Sequence, residues 1–258
     1  MVLINTENID QDKIVLFLKN ANLILTKYFN KPSINPPVVL HRRQNSAYES
    51  EFFHSENKIY LDIPKLLERN DIYIVHTLGE ELGHNYHYNI NPLLFENSDP
   101  SKKQILEAIK KGMYEELANK VLQTSNLIEF VGFSSGLFVL TEMYNLGTAR
   151  DFVNIGLEEF ADYIPENLPF LEEIAEANNK QVEQAYASNP KNIEKQVLKG
   201  KQEPQIEETM NNLKHGYGYY LACKNYQLSY SDRVNNFKAA LNLETISQLY
   251  TKIFDFFV

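Results

Sequence analysis

The sequence predicts an α+β fold that is mostly α, with a small N-terminal β-sheet leading into a helical region. Three observations predict it. Two runs rich in β-branched and aromatic residues, "VVLHR" (Val38 to Arg42) and "NKIYLDI" (Asn57 to Ile63), stand early in the chain. Before them, Ile14, Leu18, Leu25 and Phe29 recur at helical spacing. From about Asp71 onward every strong signal is helical.

Taken in order, the first element is a helix over Ile9 to Phe29, with Asn8 or Asp10 as cap, broken by "NKPSINPP". "HSEN", between "SEFF" and "KIYL", reads as a hairpin turn. Pro64 and a short helix lead into "HTLGEELGHNYHY" (His76 to Tyr88). Asp99 followed by Pro100 predicts a helix running to about Leu122, and another spans about Thr148 to Ile164, stopping before Pro165. Residues Tyr186 to Met210, polar and interrupted by Pro190, Gly200 and Pro204, read as an excursion. Helices at about Glu208 to Asn225, Ser231 to Leu241 and Glu244 to Phe257 close the chain. No internal repeat is present, and the expectation is one domain over residues 1–258, with the N-terminal helix and sheet in 1–66 and the helical part in 67–258.

Composition narrows the function classes. With 258 residues, 43% of them hydrophobic and 23% charged, the chain has the make-up of an ordinary globular protein. A net charge of -9 argues against nucleic acid or an anionic membrane as the main partner, since phosphates and anionic headgroups are repelled. Cys223 is the single cysteine, so no intramolecular disulfide can form. The N-terminus lacks the pattern of a signal peptide, and "LIEFVGFSSGLFVL" (Leu127 to Leu140) is too short and polar to span a bilayer, so the expected location is cytoplasmic.

The chemistry concentrates in the His76 to Tyr88 stretch. On a helix, Glu80 and His84 are i and i+4 and stack on one face, with His76 one turn earlier and His87 one turn later. Val75, Gly79, Leu82 and Tyr86 form a second stripe about 140 degrees away, and the two glycines allow close approach of a neighbouring element. Three readings of His76, Glu80, Glu81, His84 and His87 compete: a solvated polar face, a mononuclear metal site, or one E-x-x-H half of a carboxylate-bridged di-iron bundle. The last needs a second E-x-x-H on a partner helix, and the one other match, Glu51 to His54, falls in the predicted hairpin.

"TLGEELGH" (Thr77 to His84) resembles the active-site helix of zincin metallopeptidases, whose motif is H-E-x-x-H, with Glu80 standing where the first histidine would be. The resemblance implies Glu81 as general base and His84 as a metal ligand. It also implies that "NKIYLDI" serves as the substrate-binding edge strand. Membership of the glutamate-ligand branch, the gluzincins, implies a third ligand from a later helix. "LEEFADY" (Leu157 to Tyr163) would supply Glu158, with Asp162 behind it, and "YEELANK" (Tyr114 to Lys120) offers Glu115 as the alternative, with Asn119 behind it. "HGYGYYLA" (His215 to Ala222) would supply His215 or Tyr217 to hydrogen-bond the developing oxyanion.

The implied cofactor is one divalent metal, zinc first, with iron or manganese made more competitive by the extra carboxylate. His76 and His87 are additional candidate ligands. The expected function is a metal-dependent hydrolase, a peptidase acting on a peptide or protein. The alternatives are an inactive zincin-like protein that binds a peptide or protein partner, and a non-haem iron protein.

Overall fold

Asn70 begins the element that organises the rest. Its side chain accepts a 2.8 Å hydrogen bond from Tyr73 N–H, capping a helix that runs Asp71–Ile90. The computed structural model describes residues 2–4, 11–30, 37–41, 49–144, 218, 221–222, 224–226 and 228–249. The described elements, in order, are β1 (Val2–Ile4), α1 (Asp12–Phe29), β2 (Val38–His41), β3 (Ser50–Phe53), β4 (Lys58–Leu61) and α2 (Ile63–Leu67). They continue with α3 (Asp71–Ile90), α4 (Pro92–Ser98), α5 (Lys102–Lys111), α6 (Tyr114–Tyr144) and α7 (Tyr230–Ala240). This is the expected α+β fold, mostly α.

The four strands form one sheet in the order β1-β2-β4-β3. β2 runs parallel to both β1 and β4, while β3 and β4 form the expected antiparallel hairpin, Phe52 opposite Ile59. Asn57, at φ 53, takes the left-handed position in its turn, a conformation asparagine tolerates better than most residues. β4 is therefore interior, with Ile59 and Leu61 fully buried, and the edge strands are β1 and β3. This corrects the expectation that "NKIYLDI" is the edge. Alternation of apolar residues identifies a half-buried strand, but not which strands lie beside it.

α1 buries Ile14, Leu18, Ala21, Leu25 and Phe29. Phe29 stacks on Tyr86 of α3 with ring centroids 4.5 Å apart, and Thr26 Oγ1 lies 2.7 Å from the Tyr86 hydroxyl. Asp62 caps α2 and Pro64 sits in its first turn, as the chain pattern suggests. The helix expected from Asp99 to Leu122 is divided in two. Ser101 and Gln104 form a reciprocal capping box that starts α5, and Gly112, at φ 71, ends it. α6 then runs for 31 residues and absorbs "LIEFVGFSSGLFVL" into the core, where Leu127, Phe130, Val131 and Val139 are fully buried. Among the described residues no helix is long and apolar enough to cross a membrane.

α3 makes its most extensive contact with α6, and small residues set that contact. A Cβ on Gly79 would lie 3.0 Å from the Gly136 Cα, and one on Gly83 would lie 2.4 Å from the Ser135 Cβ. Side chains there would hold the two backbones apart. The close approach expected from Gly79 and Gly83 is thus realised, and its partner is the "GFSSG" stretch of α6, Gly132 to Gly136.

Candidate metal centre

The polar stripe of α3 faces inward. His76 and His87 are fully buried, His84 and Glu81 are each 8% exposed, and Glu80 is partly buried. A solvated polar face is ruled out by that burial. A helix with apolar residues on one side and histidines and glutamates on the other is here enclosed on both sides, by α1, α6 and the sheet edge.

Glu80, His84 and Glu129 converge, with one ligand atom from each lying within 4.8 Å of the others. Glu80 and His84 come from α3, one turn apart, and Glu129 comes from α6. The separation of His84 Nε2 from Glu129 Oε2 is 3.8 Å, too long for a hydrogen bond. It is shorter than two metal–ligand bonds of about 2.1 Å laid end to end, so both atoms can reach one ion. Gly132 makes this possible, because a Cβ there would lie 2.2 Å from His84 Cε1 and 2.5 Å from Nε2. The imidazole occupies the space that a side chain at 132 would take.

Glu81 projects to the sheet side. Ser50 Oγ, at the start of the edge strand β3, donates a 2.6 Å hydrogen bond to Glu81 Oε1. Burial pushes the Glu81 carboxyl up to about 8, and the negative charge of Glu80 adds to the shift. The Ser50 hydrogen bond opposes it, and Glu129 and Glu51 raise it further. Three carboxylates thus share a poorly solvated region, an arrangement a divalent cation would relieve.

The remaining histidines sit beside the cluster without joining its three-way approach. His76 Nδ1 is 3.6 Å from Glu80 Oε2, and the ring lies against Phe133 and Gly136. Desolvation lowers its pKa to about 3, against a hydrogen bond with the Phe133 backbone. His87 packs edge-on to Phe95 at 5.5 Å, and its ring nitrogens make no hydrogen bond among the described residues. Burial lowers its pKa to about 3, with a smaller contribution from His84.

Glu129 was not singled out by the sequence reading. Its signal was present, for it is the one charged residue between Leu127 and Leu140. A carboxylate placed in an otherwise apolar helix needs a partner. Glu115 lies at the opening of the same helix, about 21 Å before Glu129 along the axis at 1.5 Å per residue. Glu158, Asp162, His215 and Tyr217 lie outside the described residues.

Fold and site together define a mostly helical α+β protein carrying an acidic/histidine cluster able to coordinate a metal ion. The arrangement is consistent with a zincin-like protein, without the first histidine of the usual motif. Comparison with protein-family models, curated proteins and solved structures gives no match.

Proposed function

We propose that this protein is a metal-dependent hydrolase, acting on a peptide or protein, with Glu80, His84 and Glu129 holding the ion and Glu81 as general base. The observation that carries the reading is the convergence of those three groups from two helices beside a buried carboxyl on the neighbouring face. A divalent ion in this cluster would polarise a substrate carbonyl and acidify a bound water.

The chain's own residues would do the rest. Glu81 has its pKa raised to about 8 in the metal-free chain; a bound cation would lower it, and the ionised carboxylate could then take a proton from water and return it to a leaving amine. Ser50 holds one of its oxygens in place. β3 is the sheet edge next to Glu81, so an extended substrate could pair along Ser50–Phe53 by strand addition. Two carboxylates and one neutral imidazole nearly cancel a divalent charge. That weakens the Lewis acid and makes iron or manganese competitive with zinc.

The test is metal content and peptide hydrolysis measured on the same preparations. Wild-type protein should carry about one ion per chain, by mass spectrometry of the metal, and Glu80→Ala, His84→Ala and Glu129→Ala should each lose it. Glu81→Gln should keep the ion and lose hydrolysis. A metal-free wild type reconstituted with zinc, iron and manganese without uptake would sink the metal reading. Stoichiometric metal without hydrolysis of a peptide library would sink the hydrolase reading alone.

A further inference from the structure

Arg233, on α7, is 7% exposed, yet among the described residues it forms no ion pair with a carboxylate. Its guanidinium is clamped between two rings, with Cζ 4.6 Å from the Tyr226 centroid and 5.4 Å from the Tyr230 centroid. Nη1 donates a 3.4 Å hydrogen bond to the Tyr226 carbonyl, whereas Nε is buried without an acceptor. A small cavity opens beside it, with room for roughly one water-sized guest. Ser134 of α6 lines the same cavity and is 3% exposed, and its Oγ also lacks a partner.

Among the described residues, the rest of the lining offers nothing negative. Leu137, Phe138 and Ala222 are apolar. Asn225 is already engaged, its Nδ2 donating to the Arg233 carbonyl at 3.1 Å and its Oδ1 accepting from Asn236 at 3.0 Å. That pair fixes the backbone at Arg233, and the two tyrosine rings hold its side chain. Two buried polar groups able to donate, one of them cationic, therefore line a cavity that has no carboxylate among its described residues.

We propose that Arg233 and Ser134 bind a small monovalent anion of halide size in this cavity. Aromatic faces stabilise a guanidinium but do not cancel its charge, and a buried cation without a counter-charge is costly. A water molecule would satisfy Nε–H and leave the charge uncompensated, whereas a halide would meet both needs. The cavity is too small for phosphate or sulfate. By the helix period, Ser134 lies about 200 degrees round α6 from both Gly132 and Gly136, which face α3. The anion site is therefore on the other side of that helix from the metal-ligand cluster, and it stands independently of the hydrolase reading.

The test uses thermal melting of the full chain in sodium chloride, sodium bromide and sodium gluconate at equal ionic strength, for wild type, Arg233→Met and Ser134→Ala. Wild type should gain Tm saturably with chloride and bromide over gluconate. Arg233→Met should lose that difference, and Ser134→Ala should shift its midpoint to several-fold higher halide. Should Arg233→Met fail to fold, chlorine NMR line-broadening by wild type, reduced in Ser134→Ala, would carry the same conclusion. Equal halide responses in wild type and variants, or no halide-specific response at all, would overturn the proposal.

Discussion

Replacing Gly132 by alanine tests whether the helix contact builds the candidate metal centre. The added methyl would lie 2.2 Å from His84 Cε1 and 2.5 Å from Nε2, so the imidazole must retreat by about an ångström to reach ordinary contact. There is little space to retreat into, because His84 is 8% exposed and Gly83, on its own helix, already abuts Ser135. Overpacking of this kind costs about 1–3 kcal/mol, or a fall in Tm of roughly 2–12 °C for a chain of this size. The same displacement moves Nε2 away from Glu129. Disturbing the placement of a metal ligand typically weakens binding by about 10–100-fold.

Gly136→Ala is the matched control. Its methyl would lie 2.7 Å from His76 Nε2, so it strains the same helix contact without touching His84. Thermal melting and competitive titration with zinc or manganese should show both variants losing stability, and Gly132→Ala alone losing about tenfold or more in metal affinity. Equal metal affinities for Gly132→Ala and Gly136→Ala would refute the argument that Gly132 makes room for the ligand.

Other perturbations follow from the same structure. Ser50→Ala removes the 2.6 Å hydrogen bond to Glu81, costing about 1–2 kcal/mol in denaturant titrations, and raises the Glu81 pKa further, as infrared titration of the carboxyl in metal-free protein would show. The folded pKa of His87, about 3 against 6.5 in the unfolded chain, means that only the unfolded state takes up a proton in that interval. Stability contributed by keeping His87 neutral is therefore full above about pH 6.5 and falls at up to about 1.4 kcal/mol per pH unit as pH drops toward 3. His87→Phe should flatten that slope in chemical denaturation of metal-free protein, and an unchanged slope would count against it. Tyr28→Phe removes the hydrogen bonds to Glu142 (2.8 Å) and Tyr230 (3.2 Å), at a cost of about 1 kcal/mol. Glu142 has a lowered folded pKa, with the Tyr28 bond as the leading cause. Its stabilisation is present above the ordinary carboxylate range and lost as pH falls through the folded value, and Tyr28→Phe should lessen that acid loss.

How far the sequence discloses the site depends on which residues are neighbours along the chain. Glu80 and His84 are legible together because i and i+4 on a helix must stack, and the helix itself is announced by its apolar stripe. Gly79 and Gly83 announced a close neighbour without naming it. Glu129 was not legible as a partner, since the 44 positions between it and His84 hold two further helices and no local rule fixes where the chain returns. The hairpin was legible from its turn, whereas the placing of β4 inside the sheet depends on pairing with β2, a contact across residues 42–57 that passes over β3. The split at Gly112 shows the reverse case, in which a local conformational preference overrides a helical pattern running through it.

The glycine seam between α3 and α6 also bears on the chain between them. If Glu80, His84 and Glu129 shared an ion, the segment from His84 to Glu129 would become a closed loop, and the site would act as a cross-link. For a loop of that length, chain-entropy arguments assign about 4 kcal/mol to closure. α4 and α5 lie wholly within the loop, so their sequence can drift, and their packing loosen, while the two ends stay clasped. Removing the ion would release that constraint, and those two helices should then be among the first to exchange their amide protons.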